Sequence, residues 1–118
     1  MLVVSYYNPN TNPIFLKMQA EMCEKLGYKL IQILDKTTDV NNHANCLNDL
    51  FNHNKGKVLV LDSDAVPLVK ADLLSRIVQD VDIMGGAQCP NHLPNAKDYI
   101  GAACSYYDID KWEDYGRP

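Results

Sequence analysis

Asp62 and Asp64 stand one residue apart at the end of an unbroken apolar run, in the stretch VLVLDSDAVPL from Val58 to Leu68. Side chains two apart on an extended backbone point to the same side, so carboxylates at this spacing can converge on one cation where the strand gives way to a turn. Hard divalent ions such as Mg2+ and Mn2+ prefer oxygen. They often take one or two protein carboxylates and complete their shell with water and phosphate oxygens. An ion held this way neutralises a diphosphate and assists its departure as a leaving group. The competing reading is structural: the aspartates cap the turn and the helix after it, which explains one acid well and two poorly.

Composition bounds these chemistries. A chain of 118 residues makes one domain, residues 1–118, with a single core and little room to enclose a second substrate. Its 11 Lys and Arg against 15 Asp and Glu give a net charge of −4, which argues against a nucleic-acid binder that neutralises phosphates. An anionic ligand then needs a metal ion or oriented backbone amides. Cys23, Cys46, Cys89 and Cys104 are irregularly spaced with no CxxC pair, as expected of reduced, semi-buried thiols. Cys89 and His92 have zinc-like spacing but lack a second pair. The start MLVVSYYNPN has no basic flank or cleavage site, and no stretch is long enough for a transmembrane segment, so a soluble, cytoplasmic protein is the expectation.

The elements that position the acids follow from periodicity and punctuation. Leu2 to Tyr6 reads as a strand ended by the turn-rich NPNTNP. Asn12 as N-cap and Pro13 at the first helical position open a helix that Gly27 closes. Its expected apolar face is Ile14, Met18, Met22 and Leu26, with Phe15 and Cys23 beside them. YKLIQIL is a second strand ending at Asp35. The polar KTTDVNN then leads to a helix from about His43 to Asn52, whose Ala44, Leu47, Leu50 and Phe51 share a face. KVLVLDSD lacks alternation, as a strand covered on both faces should. A third helix, roughly Ala71 to Gln79, should bury Leu73, Leu74, Ile77 and Val78. VDIMGGA and IGAACSYYDI are strand-like, with the loop CPNHLPN between them and a polar tail behind. This β-α-β-α-β-α-β-loop-β order predicts a single α/β, Rossmann-like domain with a mainly parallel sheet flanked by helices. Ligands of such sheets collect outside the carboxyl strand ends, where Tyr6, Tyr7, Asp35, Asp62 and Asp64 all fall.

In that order, VVSYYNPN, IQILDKTTD and NNHANCLNDLFNHNKGKVLVLDSDAVPL resemble the nucleotide-sugar glycosyltransferases of GT-A fold, within them the family-2-like group. The resemblance runs over roughly residues 1 to 88 and makes this a minimal member. It implies that Ser5, Tyr6 and Tyr7 lie against the nucleobase and that Asp35 hydrogen-bonds base or ribose. It further implies that Asp62 reaches the ribose or a metal-bound water, with Ser63 in the same cofactor-facing turn, and that Asp64 binds Mn2+ or Mg2+ directly. The implied donor is a nucleoside-diphosphate sugar, by family habit a UDP-sugar, and the implied reaction is transfer to an acceptor hydroxyl.

The chain departs from that pattern in two places. The interval from Asp39 to Asn42 is too short for an extra strand, and less than half the chain follows Asp64 to supply a general base. Asp108, Asp110, Glu113 and Asp114 are the candidates, WED at 112–114 resembling the family's acidic pair. Without a base, the domain would bind a nucleotide sugar and not transfer it, or a second copy or partner would complete the acceptor side as a homo-oligomer or complex. A phosphatase of haloacid-dehalogenase type needs the DSD near the start of its fold, and a receiver domain needs an acidic pair where SYYNP stands. A non-enzymatic α/β module asks nothing of the DSD beyond a turn.

Overall fold

The computed structural model describes residues 1–37, 42–88, 94–95 and 99–115. Strands β1 (Leu2–Tyr7), β2 (Lys29–Leu34), β3 (Lys57–Asp62), β4 (Ile83–Gln88) and β5 (Tyr99–Asp108) form one sheet in the order β2-β1-β3-β5-β4. Helices α1 (Pro13–Leu26), α2 (Asn42–His53) and α3 (Ala71–Ile77) connect the first four strands, and a 3-10 helix, Ile109–Tyr115, follows the last. β1 pairs in parallel with β2 and β3, and β5 runs antiparallel to both β3 and β4. The α/β order expected from the sequence is the one observed, and its polar tail is the 3-10 helix.

β3 explains the layering. Val58, Leu59, Val60 and Leu61 are all buried although their side chains alternate across the sheet. Leu59 and Leu61 join Val3, Cys23, Tyr106 and Val78 in a core under α1 and α3. Val58 and Val60 join Val4, Leu50, Phe51 and Ile109 under α2. Each fully buried aliphatic side chain stabilises the fold by about 1.5–3 kcal/mol, so this strand cannot slip by one residue without exposing part of both layers.

α1 keeps its expected ends and only part of its expected face, Cys23 and Leu26 meeting the core. Asn12 Oδ1 accepts from the Ile14 N–H at 3.0 Å, and Gly27 adopts the left-handed conformation at φ 84°, with its N–H reaching the Glu24 carbonyl. Ile14 and Met18 are more than half exposed, while Gln19 and Cys23 are buried. A four-residue step turns about 40° around the helix, so the Ile14-Met18-Met22-Leu26 row starts in solvent and winds toward the sheet, meeting the core at Leu26. α3 departs similarly: Ala71, Leu74 and Val78 are buried, whereas Leu73 and Ile77 face solvent. Ala44 of α2 is also exposed, and that helix packs through Leu47, Leu50 and Phe51.

Among the described residues Cys23, Cys46 and Cys104 are free thiols, and no helix is long and apolar enough to cross a membrane. Cys89 and His92, the zinc-like pair, lie outside the described residues.

The left-handed cap gives a direct check. Gly27→Ala has space for its Cβ, 3.9 Å from the Ala71 Cβ, but is strained by φ. It should cost about 1 kcal/mol in denaturant unfolding with the m-value unchanged.

Candidate functional site

The strand order reverses at β1, whose neighbours β2 and β3 are reached in opposite directions, so a crevice opens at the carboxyl ends of β1 and β3. Tyr6 of β1 is the register partner of Asp62 of β3 at this rim. A cavity of about 370 Å3 occupies the crevice, with Asp62, Ser63 and Asp64 on one side and Tyr6 behind. Its other wall is Asn10, Thr11, Asn12 and Phe15, from the β1–α1 loop and the first turn of α1. None of these lining residues carries a positive charge.

The aspartates are not used as caps. Residues 62–65 form a tight turn closed through the backbone, Ala65 N–H to the Asp62 carbonyl at 3.0 Å. α3 begins only at Ala71, its N-cap is Lys70, and it has no side-chain cap. Neither carboxylate has a hydrogen-bond or ion-pair partner among the described residues. Asp62 is half-buried and Asp64 exposed. Beside them, β5 brings Cys104 opposite Leu61. Burial first, then the Asp62 charge, pushes the Cys104 thiol up.

The remaining expected positions are distributed unevenly. Tyr6 presents its ring to the cavity, but its hydroxyl donates to the Cys46 carbonyl at 3.0 Å and its edge meets His43, centroids 6.3 Å apart. Burial, then the nearby Cys46 and Asp49, pushes its pKa up to about 12, so the phenol stays protonated. His43 is half-buried against that ring, and its Nε2 is buried without a hydrogen-bond partner among the described residues. Ser5 does not reach the cavity. It is fully buried on the α1 face, because alternation along β1 turns Val3 and Ser5 away from the side taken by Val4 and Tyr6. Tyr7 is half-buried at the strand end and passes its carbonyl to the Asp35 N–H.

Asp35 sits at the adjacent strand end, with Oδ1 accepting from Thr37 N–H (3.0 Å), Thr37 Oγ1 (3.0 Å) and Asn42 Nδ2 (2.9 Å). It ties the β2 exit to the start of α2. The Thr37 N–H bond above all holds its carboxyl below the usual value. Partial desolvation opposes this, and the Thr37 hydroxyl, the Asn42 amide and the His43 charge add to it.

The acids of the 3-10 helix are the largest departure. Antiparallel pairing sets Asp108 opposite Lys57, and Asp110 accepts from the Gly56 N–H at 3.1 Å, at the amino end of β3. β3 spans about 20 Å at the usual strand rise, so Asp110 stands at the far end of the sheet from Asp62 and Asp64. Asp114 is exposed on the same 3-10 helix, whose backbone also carries Glu113. The sequence placed these residues after a strand without revealing that the strand runs antiparallel, and that direction carries them away from the cavity.

The sequence reading also passed over the Asn10-to-Phe15 wall and Gln19. NPNTNP was read as a turn and a cap, although its run of Asn and Thr is a signal for a rigid polar surface. Asn8 Oδ1 accepts from the Asn10 N–H at 2.8 Å, and Thr11 Oγ1 accepts from the Asn8 N–H at 3.1 Å. The signal for Gln19 is a polar residue one helical turn before the buried Cys23.

No protein-family model and no curated protein matches the chain. Solved structures do. One is a glycosyltransferase involved in glycosylating the major capsid of PBCV-1, with TM-score 0.50 and 13% identity over 98% of this chain and 63% of that one. Another is the apo form of the glycosyltransferase GlyE of Streptococcus pneumoniae TIGR4, with TM-score 0.50 and 12% identity over 98% of this chain and 35% of that one. The chain thus spans less than two thirds of either structure's length, and what it shares with them is a glycosyltransferase-like α/β fold.

The Asp35 tie predicts a titration. Its depressed folded-state value means that its bonds stabilise the fold above the ordinary carboxylate pKa, and that this contribution fades as pH falls through the depressed one. Carbon-detected NMR should place the Asp35 midpoint below that of an unperturbed aspartate, and Asn42→Ala should raise it. A midpoint at or above the ordinary value would contradict the tie.

Proposed function

We propose that the cavity binds a nucleoside-diphosphate sugar with a divalent cation, and that the domain is the donor-binding part of a glycosyltransferase of GT-A type. The observation that carries the reading is the placing of two unpartnered carboxylates, Asp62 and Asp64, on one wall of a switch-point cavity with no positively charged lining residue. The likeness in fold to two solved glycosyltransferases supports it.

Electrostatics favours a cation in this reading. Each phosphate charge about 6 Å from a carboxylate would be repelled by about 3 kcal/mol at an effective dielectric of about 20. A bare diphosphate therefore does not belong here, and one carried on Mn2+ or Mg2+ does. No group of three or more His, Cys, Asp or Glu gathers among the described residues, so the protein would supply only the two carboxylates, a number that Mg2+ accepts when water and phosphate oxygens fill the remaining positions. Asp62 and Asp64 would hold the ion, which when bound supplies charge neutralisation to the departing diphosphate. Tyr6 and Phe15 offer apolar surface to a base or sugar face, and Asn10 and Thr11 offer polar groups to its hydroxyls. Uridine is the nucleoside favoured by the sequence resemblance.

One observation favours a second reading, donor binding without transfer by this chain alone. Asp110 stands at the opposite end of the sheet, so the base that would deprotonate an acceptor hydroxyl is not Asp110.

Calorimetry separates these statements from a bland module. UDP should bind measurably with Mn2+ and at least tenfold more weakly without it, a loss of about 1.4 kcal/mol or more. Asp64→Ala should abolish the metal-dependent part, while Asp110→Asn should leave it intact. Equal UDP affinity with and without metal would refute the assignment.

A further inference from the structure

Gln19 is fully buried on the sheet-facing side of α1, where an apolar residue would cost least. Its amide nitrogen donates to the Asp62 carbonyl at 2.9 Å and to the Ala65 carbonyl at 2.8 Å, the first and last residues of the turn that carries the acids. Gln32 of β2 fixes which way that amide faces. Gln32 Nε2 donates to the Leu16 carbonyl at 2.9 Å and to Gln19 Oε1 at 3.0 Å, so the Gln19 oxygen is taken and its nitrogen must point at the turn. Both N–H groups of each glutamine are thereby used, and the chain of bonds links β2, α1 and the exit of β3.

We propose that Gln19, oriented by Gln32, is a positioning residue for the cation site, holding the Asp62–Ala65 turn in the one shape that aims both carboxylates into the cavity. The inference rests on the reading of Asp62 and Asp64 as cation ligands. Gln19 touches neither the carboxylates nor a ligand. It acts on the backbone at the two ends of the turn, the Asp62 and Ala65 carbonyls, where a two-residue turn has few other restraints: the Ala65 N–H bond to Asp62 and the strand pairing that ends at Asp62 itself. Partners that orient metal ligands are commonly worth about 10–100-fold in affinity, because a ligand pair that must be ordered on binding spends part of its binding energy on that ordering.

The test measures Mn2+ affinity by electron paramagnetic resonance, without nucleotide, well below the melting temperature of every variant. Gln19→Met keeps volume and removes both donors. Gln32→Met removes only the restraint on the Gln19 amide. Val78→Ala, in the core under α3, is the control for lost stability. Gln19→Met should weaken Mn2+ about 10–100-fold and Gln32→Met by a smaller factor in the same direction, with Val78→Ala within about twofold of wild type. Amide exchange at Ala65, measured with no metal present, should accelerate in Gln19→Met and not in Val78→Ala. Wild-type Mn2+ affinity in Gln19→Met, with binding lost in Asp64→Ala, would overturn the positioning role and leave the cation site standing. No Mn2+ binding by wild type would overturn the site, and with it the role given to Gln19.

Discussion

The carboxyl end of the sheet depends on the burial of β3 between two apolar layers. Leu59 and Leu61 face α1 and α3, Val58 and Val60 face α2, and no alternative register satisfies both. That constraint sets Tyr6 opposite Asp62 and brings the turn after Asp62 to the point where β1's neighbours diverge. The apolar run gives the acids their position by giving the strand no freedom to move.

Local polar contacts then shape the site within that frame. The Asn8–Thr11 turn and the Asn12 cap fix one wall, and the Tyr6 hydroxyl is anchored to the α2 backbone, leaving its ring to the cavity. Gln19 and Gln32 reach the opposite wall from beneath. What these contacts leave unpaired among the described residues is a pair of acids, Asp62 and Asp64, in a cavity whose lining carries no positive charge.

The sequence made the strands, the helix ends and the acid pair legible, because those follow from local rules: the uninterrupted run at Val58–Leu61, proline and asparagine before α1, glycine after it. Helix faces were less legible. The Ile14-Met18-Met22-Leu26 row winds around the helix and meets the core at its Leu26 end, and the buried residue beside the exposed Met18 is a glutamine. Ser5 was misplaced because neighbours on a strand face opposite ways, so Ser5 and Tyr6 cannot serve one cavity together. Asp110 and Asp114 were misplaced for a reason no local pattern reports. β5 runs antiparallel to β3 and β4, and its direction is settled by pairing with β3, more than forty residues earlier.

The proposed function stands or falls on a divalent-cation site made of Asp62 and Asp64. Crystals soaked in Mn2+ and measured for anomalous scattering test it most directly. The account predicts one strong peak within coordination distance of both carboxylates, about 2.0–2.3 Å from oxygen, that disappears in Asp64→Ala. A peak elsewhere on the molecule, or none at this turn at an Mn2+ concentration that saturates binding in solution, would contradict it.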